Sequence, residues 1–166
     1  MAGRFGRRIR RTRTGTYALR LPGPEAELLT GLVDQLRELL ELSTDDPSLR
    51  RLFPTAYHDD PERDREYQQL VRDELLERRL GALATIEATA GARELDQAQL
   101  TGWLTALNDL RLVIGTRLDV SEDQADLDLD DPNAPALAVY GYLSLLLSEA
   151  VDALADDLPP PADPEV

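Results

Sequence analysis

"LTGWLTALNDLRLVIGTRL", residues 100–118, decides the fold class. Leu100, Trp103, Leu107, Leu110 and Ile114 recur in steps of three and four, the spacing of one helix face, while Leu104, Leu112 and Val113 add a second apolar stripe. A helix that is apolar on two sides sits between other helices. Polar groups nevertheless interrupt it. Asn108 falls in line with Leu104 and Leu112, so it needs hydrogen-bond partners among neighbouring helices, and Gly115, costly in a helix interior, points to close approach by another element. Asn108, Asp109, Arg111 and Arg117 form a polar helix cluster, read first as a network that fixes helix register and second as a partner-binding surface.

Outward from this helix the chain reads as a mainly α protein, a helical bundle of about four long helices plus short helices. Asp96 caps the helix over 97–118. Upstream, "DDPERDREY" starts another helix with Asp60 as cap and Pro61 behind it. Tyr67, Leu70, Val71, Leu75, Leu76, Leu80, Leu83 and Ile86 carry its apolar face to a stop at Gly91. "TDDPSLRRLFP" reads as a one- or two-turn helix capped by Asp46. A first helix opens at Pro24, with Glu25 and Glu27 at the positive end of its dipole, and runs to about Leu42. A last helix spans about 134–156.

An N-terminal β-hairpin, about residues 5–21, precedes the bundle. "TYALRL" alternates, with Tyr17, Leu19 and Leu21 on one face, and Phe5 and Ile9 share a face in the segment before it. A two-residue loop would set Ile9 against Arg20. A three-residue loop with Gly15 in the left-handed conformation sets Ile9 against Leu19 and keeps the apolar faces together, so that register is preferred. Residues 1–158 are expected to form a single domain that includes an acidic loop over 119–133, with 159–166 a disordered tail.

Charge is unevenly placed. The formal net charge is −14, yet residues 1–22 hold seven arginines and no acid, leaving eleven arginines against thirty-two acids in the rest. Arg7, Arg8, Arg10, Arg11 and Arg13 are therefore the candidates for partner or nucleic-acid contact. A handful of arginines binds nucleic acid non-specifically with dissociation constants of about 10⁻⁴ to 10⁻⁶ M, weakening steeply with salt. The tethered acidic body competes at an effective concentration on the order of mM and repels the phosphates as well. DNA binding is thus expected to be weak, and the segment to be chiefly a structural hairpin.

Enzymatic chemistry finds little support. Cysteine is absent, which excludes disulfides, thiolate metal sites and thiol nucleophiles. His58 is the single histidine and lacks a second ligand or an adjacent nucleophile. "DLDLDD" (126–131) imitates a calcium loop but places Asp131 where glycine is needed and Leu137 where the closing glutamate belongs. No glycine-rich phosphate loop is present. The chain is read as non-enzymatic, with no cofactor and no metal. Its longest nearly apolar run, "ALAVYGYLSLLL" (136–147), is short for a bilayer span, so a cytoplasmic protein without membrane contact is expected. A homo-oligomer is left open, because the two-sided helix 97–118 could be buried within one chain or shared between two.

Trp103 with "ALNDLRLVIGTRL", "AYHDDPERDREY" and "ALAVYGYLSLLL" together resemble an actinobacterial domain-of-unknown-function family, AosR-like, whose members are described as oxidative-stress transcriptional regulators. The resemblance runs from about Tyr17 to Leu154. It implies a small cytoplasmic regulator that acts with an RNA polymerase or sigma factor component, encoded near a proteolytic adaptor and sulfur-assimilation genes. The family's redox sensing is attributed to a cysteine pair near the N-terminus, and this chain departs from the pattern by having none. The expected function is a non-enzymatic, stress-related, transcription-associated regulator working mainly through protein contacts without a thiol switch. The alternative is a protein–protein adaptor with no role in transcription.

Overall fold

Among the described residues, the chain forms four α-helices and a small antiparallel sheet. The computed structural model describes residues 6–43, 45–118 and 130–156. Most of the acidic loop, including four residues of "DLDLDD", and the C-terminal tail lie outside the described residues. In chain order the elements are β1 (Ile9–Arg11), β2 (Tyr17–Leu19), α1 (Gly23–Leu42), a 3-10 turn (Pro47–Leu49), α2 (Pro61–Thr89), β3 (Glu94–Leu95), α3 (Gln97–Leu118) and α4 (Ala134–Ala155). The mainly α class with an N-terminal hairpin is confirmed.

The hairpin has the register that its apolar pattern demands. Ile9 pairs with Leu19, Arg10 with Ala18 and Arg11 with Tyr17. Gly15 takes φ 86°, a left-handed conformation that costs a glycine little. Ile9, Tyr17 and Leu19 are all buried as the alternation requires. What the sequence reading omits is β3, which adds to β2 through Tyr17 opposite Leu95 and makes the sheet three-stranded. β1 is left as the edge strand on the other side.

Helix boundaries follow their caps. Asp60 Oδ1 accepts from the Arg63 amide at 3.1 Å, and Pro61 fills the first turn of α2. Asp46 accepts from the Ser48 amide at 2.8 Å to start the 3-10 turn. At α3 the cap is reciprocal: Asp96 accepts from the Gln99 amide at 2.7 Å while Gln99 accepts from the Asp96 amide at 2.9 Å. This satisfies donors at both ends of the first turn, a capping box. Gly91 does not act as a left-handed stop, since Gly15 is the only glycine with positive φ among the described residues. α2 ends instead at Thr89, with Ala90 still in right-handed helical geometry.

α3 is the central helix, packed against both α2 and α4. Its two apolar stripes are used within one chain. Leu100, Trp103, Ala106, Leu107, Leu110 and Val113 enter the core, and the indole of Trp103 donates to the Thr89 hydroxyl at 2.7 Å. Gly115 is the point of close approach expected from the sequence, because a Cβ there would stand 3.0 Å from the Tyr140 ring of α4. Gly81, on α2, has open space around it. Gly115→Val is therefore expected to lower stability by about 1–3 kcal/mol through overpacking. Gly81→Ala is expected to raise it by up to about 1 kcal/mol through helix propensity. Thermal denaturation of the two variants checks the pair.

One apolar stripe is corrected by the structure. Tyr67 and Leu70 were expected on the buried face of α2, yet they are 40% and 82% exposed. The fully buried residues of α2 begin only at Ala82, while Leu75, Leu76 and Leu80 pack partly buried against the core, so the departure is confined to the first turns around Tyr67 and Leu70. There Tyr57 meets the Tyr67 ring edge-on at 5.9 Å, and Arg63 lies over the Tyr57 ring at 4.4 Å. α4 also differs from its apolar run: it forms 22 helical residues with a mean hydropathy of 1.4 over its most apolar window. By length and composition it could cross a membrane, though one of its faces packs on α3 and β1.

Candidate functional site

The arginine hairpin is held on the bundle by two carboxylates. β1 is an edge strand, so it presents backbone amides with no strand to receive them. Glu149 of α4 supplies the missing acceptor. One of its oxygens, Oε2, accepts from the Arg8 amide at 2.8 Å and from the Ile9 amide at 3.1 Å. Glu149 is buried, so these are charge-assisted bonds in a water-poor setting.

Glu25, in the first turn of α1, holds the Arg8 side chain. The guanidinium donates through Nε at 3.1 Å and Nη2 at 2.7 Å to the two carboxylate oxygens, a bidentate fork. Tyr142 of α4 donates its hydroxyl to Glu25 Oε2 at 2.6 Å. Glu25 thus joins the hairpin, α1 and α4. The Arg8 hydrogen bonds hold its carboxyl below the usual range, burial opposing and Tyr142 assisting. The same hydrogen bond raises Arg8, while burial and donation to Glu25 push Tyr142 up.

The sign of the pH dependence follows. A carboxyl with a lowered folded-state pKa contributes stability that is present above its ordinary value of 4.5 and is lost as pH falls through the folded value. Acidification below pH 4.5 is expected to release the Arg8 fork before the core unfolds, because the Ile9, Tyr17 and Leu19 contacts do not titrate. The Arg8 side-chain NMR resonance should shift ahead of the Trp103 indole resonance, and simultaneous shifts would contradict this.

The five arginines expected to act together divide. Arg8 is turned into the protein, and Arg7 is exposed but pairs with Asp152 at 3.5 Å. Arg10, Arg11 and Arg13 are exposed on the hairpin. The expectation that the segment docks on its own acidic body is met by Arg7 and Arg8.

The polar helix cluster does not assemble into one site. Asp109 is 1% exposed and faces α2, where Arg79 Nη1 forms an ion pair with its Oδ1. Burial raises the Asp109 carboxyl and Arg79 opposes the rise. Arg79 also donates to the Leu52 carbonyl at 2.9 Å. Asn108 and Arg111 touch each other at 3.5 Å, one turn apart. Arg117 is exposed and borders an apolar groove of about 330 Å³ between α1 and α3, lined by Leu32, Leu36, Leu39, Val113 and Ile114. Asp109 thus reaches a partner thirty residues away on α2, whereas Asn108 and Arg111 meet within α3.

Sequence reasoning passed over Glu149, Tyr142 and Arg79. Glu149 carried a signal: it and Asp152 are the only charges in α4, and an isolated acid on an apolar helix calls for a partner. His58 is exposed in the loop before α2. Among the described residues, no three His, Cys, Asp or Glu side chains converge as a metal cluster would.

Comparison with known proteins supplies what the geometry does not. A family described as a domain of unknown function, DUF2017, matches residues 6–154. Proteins from Mycobacterium tuberculosis and Mycobacterium bovis named oxidative stress regulator AosR are 28% identical over 137 residues. Those matches cover 68% of this chain and 63% of the relatives, so the chain spans less than two thirds of their length. A Mycobacterium leprae protein of the same AosR name is 27% identical over 151 residues, covering 80% of this chain and 68% of that protein. No solved structure matches the chain.

Proposed function

Since the chain belongs to the DUF2017 family, we propose that it is a non-enzymatic, stress-related regulator that acts on transcription through protein contacts. The contact surface in this reading is the outer face of the hairpin, where Arg10 and Arg13 are exposed. The observation that carries it is the division among the arginines. Glu149 and Glu25 fix the strand through its backbone and through Arg8, leaving neighbouring arginines to face outward on a rigid support. An acidic macromolecular surface is the partner such a display fits, and an RNA polymerase or sigma factor component is the partner the family relationship suggests. The working compartment is then the cytoplasm. Because the sequence contains no cysteine, a stress signal would reach this chain through its partner rather than through a thiol of its own.

Direct DNA recognition is disfavoured by charge. The residues beyond the hairpin carry eleven arginines against thirty-two acids, which opposes a long phosphate track. The test is direct binding of the purified chain to purified polymerase and sigma factors, with duplex DNA as a parallel ligand. Expected is saturable protein binding that the paired substitution Arg10→Glu with Arg13→Glu weakens at least about tenfold. DNA binding should be lost by about 0.15 M salt. Sequence-specific, salt-resistant DNA binding, or protein binding indifferent to the two arginines, would overturn the reading.

A further inference from the structure

β2 outruns its partner strand. The Leu19 amide donates to the Arg93 carbonyl at 2.9 Å, on the β3 side, and the Arg20 amide donates to the Arg8 carbonyl at 2.7 Å, on the β1 side. Alternation turns the Leu21 amide and carbonyl back to the β3 side, and the proline that follows keeps Leu21 extended. No strand meets it there. Upstream of Arg93 the chain leaves the sheet in a turn, the Ala92 amide donating to the Thr89 carbonyl at 2.9 Å. Among the described residues the Leu21 amide and carbonyl have no hydrogen-bond partner. Where the ladder stops, a cavity of about 580 Å³ lies between β2, the first turn of α1 and the loop after α2, and Leu21 lines it.

Charge singles this cavity out. Its lining contains Arg20 and Arg93 and no acid, in a chain of thirty-two acids and eighteen arginines. Both arginines are exposed, and neither forms an ion pair among the described residues. Two acids on the bordering elements are engaged elsewhere: Glu25 by Arg8 and Tyr142, and Glu94 by the Thr16 hydroxyl. Gly23 and Gly91, also in the lining, have no atom within 4 Å of where a Cβ would stand, which leaves room for a second backbone. We propose that this cavity binds an extended acidic peptide segment of a partner protein, which continues the β3 edge beside Leu21 and sets carboxylates on Arg20 and Arg93. The unpaired groups select that occupant over a small anion. Sulfate supplies acceptors only, so it meets the guanidiniums and leaves the Leu21 carbonyl without a donor. A peptide brings an N–H for that carbonyl, a C=O for the Leu21 amide, and carboxylates for the arginines. The site is distinct from the face that presents Arg10 and Arg13, and it does not rest on the partner proposed for that face.

The test titrates the full chain into a fluorescein-labelled hexapeptide of alternating valine and glutamate, read by fluorescence polarisation at about 0.15 M salt. Saturable binding is expected, with a dissociation constant below about 1 mM. The counterpart with glutamine for glutamate should bind at least about tenfold more weakly, and Arg20→Gln with Arg93→Gln should cost the natural chain a similar factor. Arg50→Gln with Arg51→Gln, exposed beside the 3-10 turn, removes the same charge and should leave binding unchanged. Both variants alter exposed side chains only, so each should keep the melting temperature of the natural chain. N-methylation of the peptide backbone removes its donors and should weaken binding at least about fivefold. Binding that survives N-methylation would reduce the site to a cation pair open to any anion and would overturn the peptide assignment. Binding indifferent to Arg20 and Arg93, or no binding at all, would overturn the site.

Discussion

Arg79→Ala is expected to destabilise the protein by about 3–5 kcal/mol, the cost of leaving one partner of a buried ion pair uncompensated. Asp109 is 1% exposed, and its second oxygen, Oδ2, has no hydrogen-bond partner in the protein, so Arg79 supplies its compensation. Removing Arg79 also frees the Leu52 carbonyl that it satisfies and takes away a guanidinium lying 5.8 Å from the centre of the Phe53 ring. Burial already raises the Asp109 carboxyl against the opposition of Arg79, and without that opposition it rises further. A raised folded-state value means that the folded form takes up a proton more readily than the unfolded form. The variant therefore regains stability as pH falls from 7 toward the ordinary carboxylate value of 3.8. Denaturant melts at pH 7 and pH 5 check both statements. A loss below about 1 kcal/mol at pH 7 would show that water or another group compensates Asp109. The double variant Arg79→Met with Asp109→Leu should recover much of the loss, because a packed apolar pair can replace a buried ion pair at little net cost.

The second large effect is expected at Glu149. Glu149→Ala leaves the Arg8 and Ile9 amides without an acceptor beneath the edge strand, at about 1–3 kcal/mol for each donor so stranded. The strand can relieve that cost by lifting off, so the loss should be local. Trypsin reads it well: the chain has no lysine, and Arg7, Arg8, Arg10, Arg11 and Arg13 are consecutive cleavage sites in the one segment affected. Cleavage there should accelerate at least about tenfold, the factor that about 1.4 kcal/mol of local opening produces, while cleavage within α2 stays slow. Glu149→Gln keeps a side-chain oxygen as acceptor and should fall between wild type and Glu149→Ala. Equal cleavage of all three would mean that the strand is held by its apolar contacts alone.

Local signals in the sequence were legible where one segment carried the whole argument. The hairpin register followed from the positions of Ile9, Tyr17, Leu19 and Gly15, because a one-residue slip would have turned the apolar set to water. Asp46, Asp60 and Asp96 marked helix starts because a cap acts within three residues of itself. Leu70 misled for a related reason: periodicity reports which side of a helix is apolar, not how far the rest of the protein extends along it. β3 is two residues long, too short for alternation to register. The site was legible in its residue types and not in its pairings. Arg8 was singled out for its charge, but its partners lie seventeen residues away in α1 and, through the backbone, on α4. Asp109 was singled out without Arg79. Such pairings depend on how helices pack, and no window of sequence contains them.

Glu149 grips the hairpin by its main chain. Every residue except proline offers the same amide, so the grip asks almost nothing of side-chain identity at positions 8 and 9. Ile9 is constrained by the core, whereas the exposed positions 10 and 13 are constrained by neither anchor nor core. The strand is therefore a mount whose outward lettering can be rewritten without loosening it. Arginines there can be exchanged for other residues while the domain beneath stays the same.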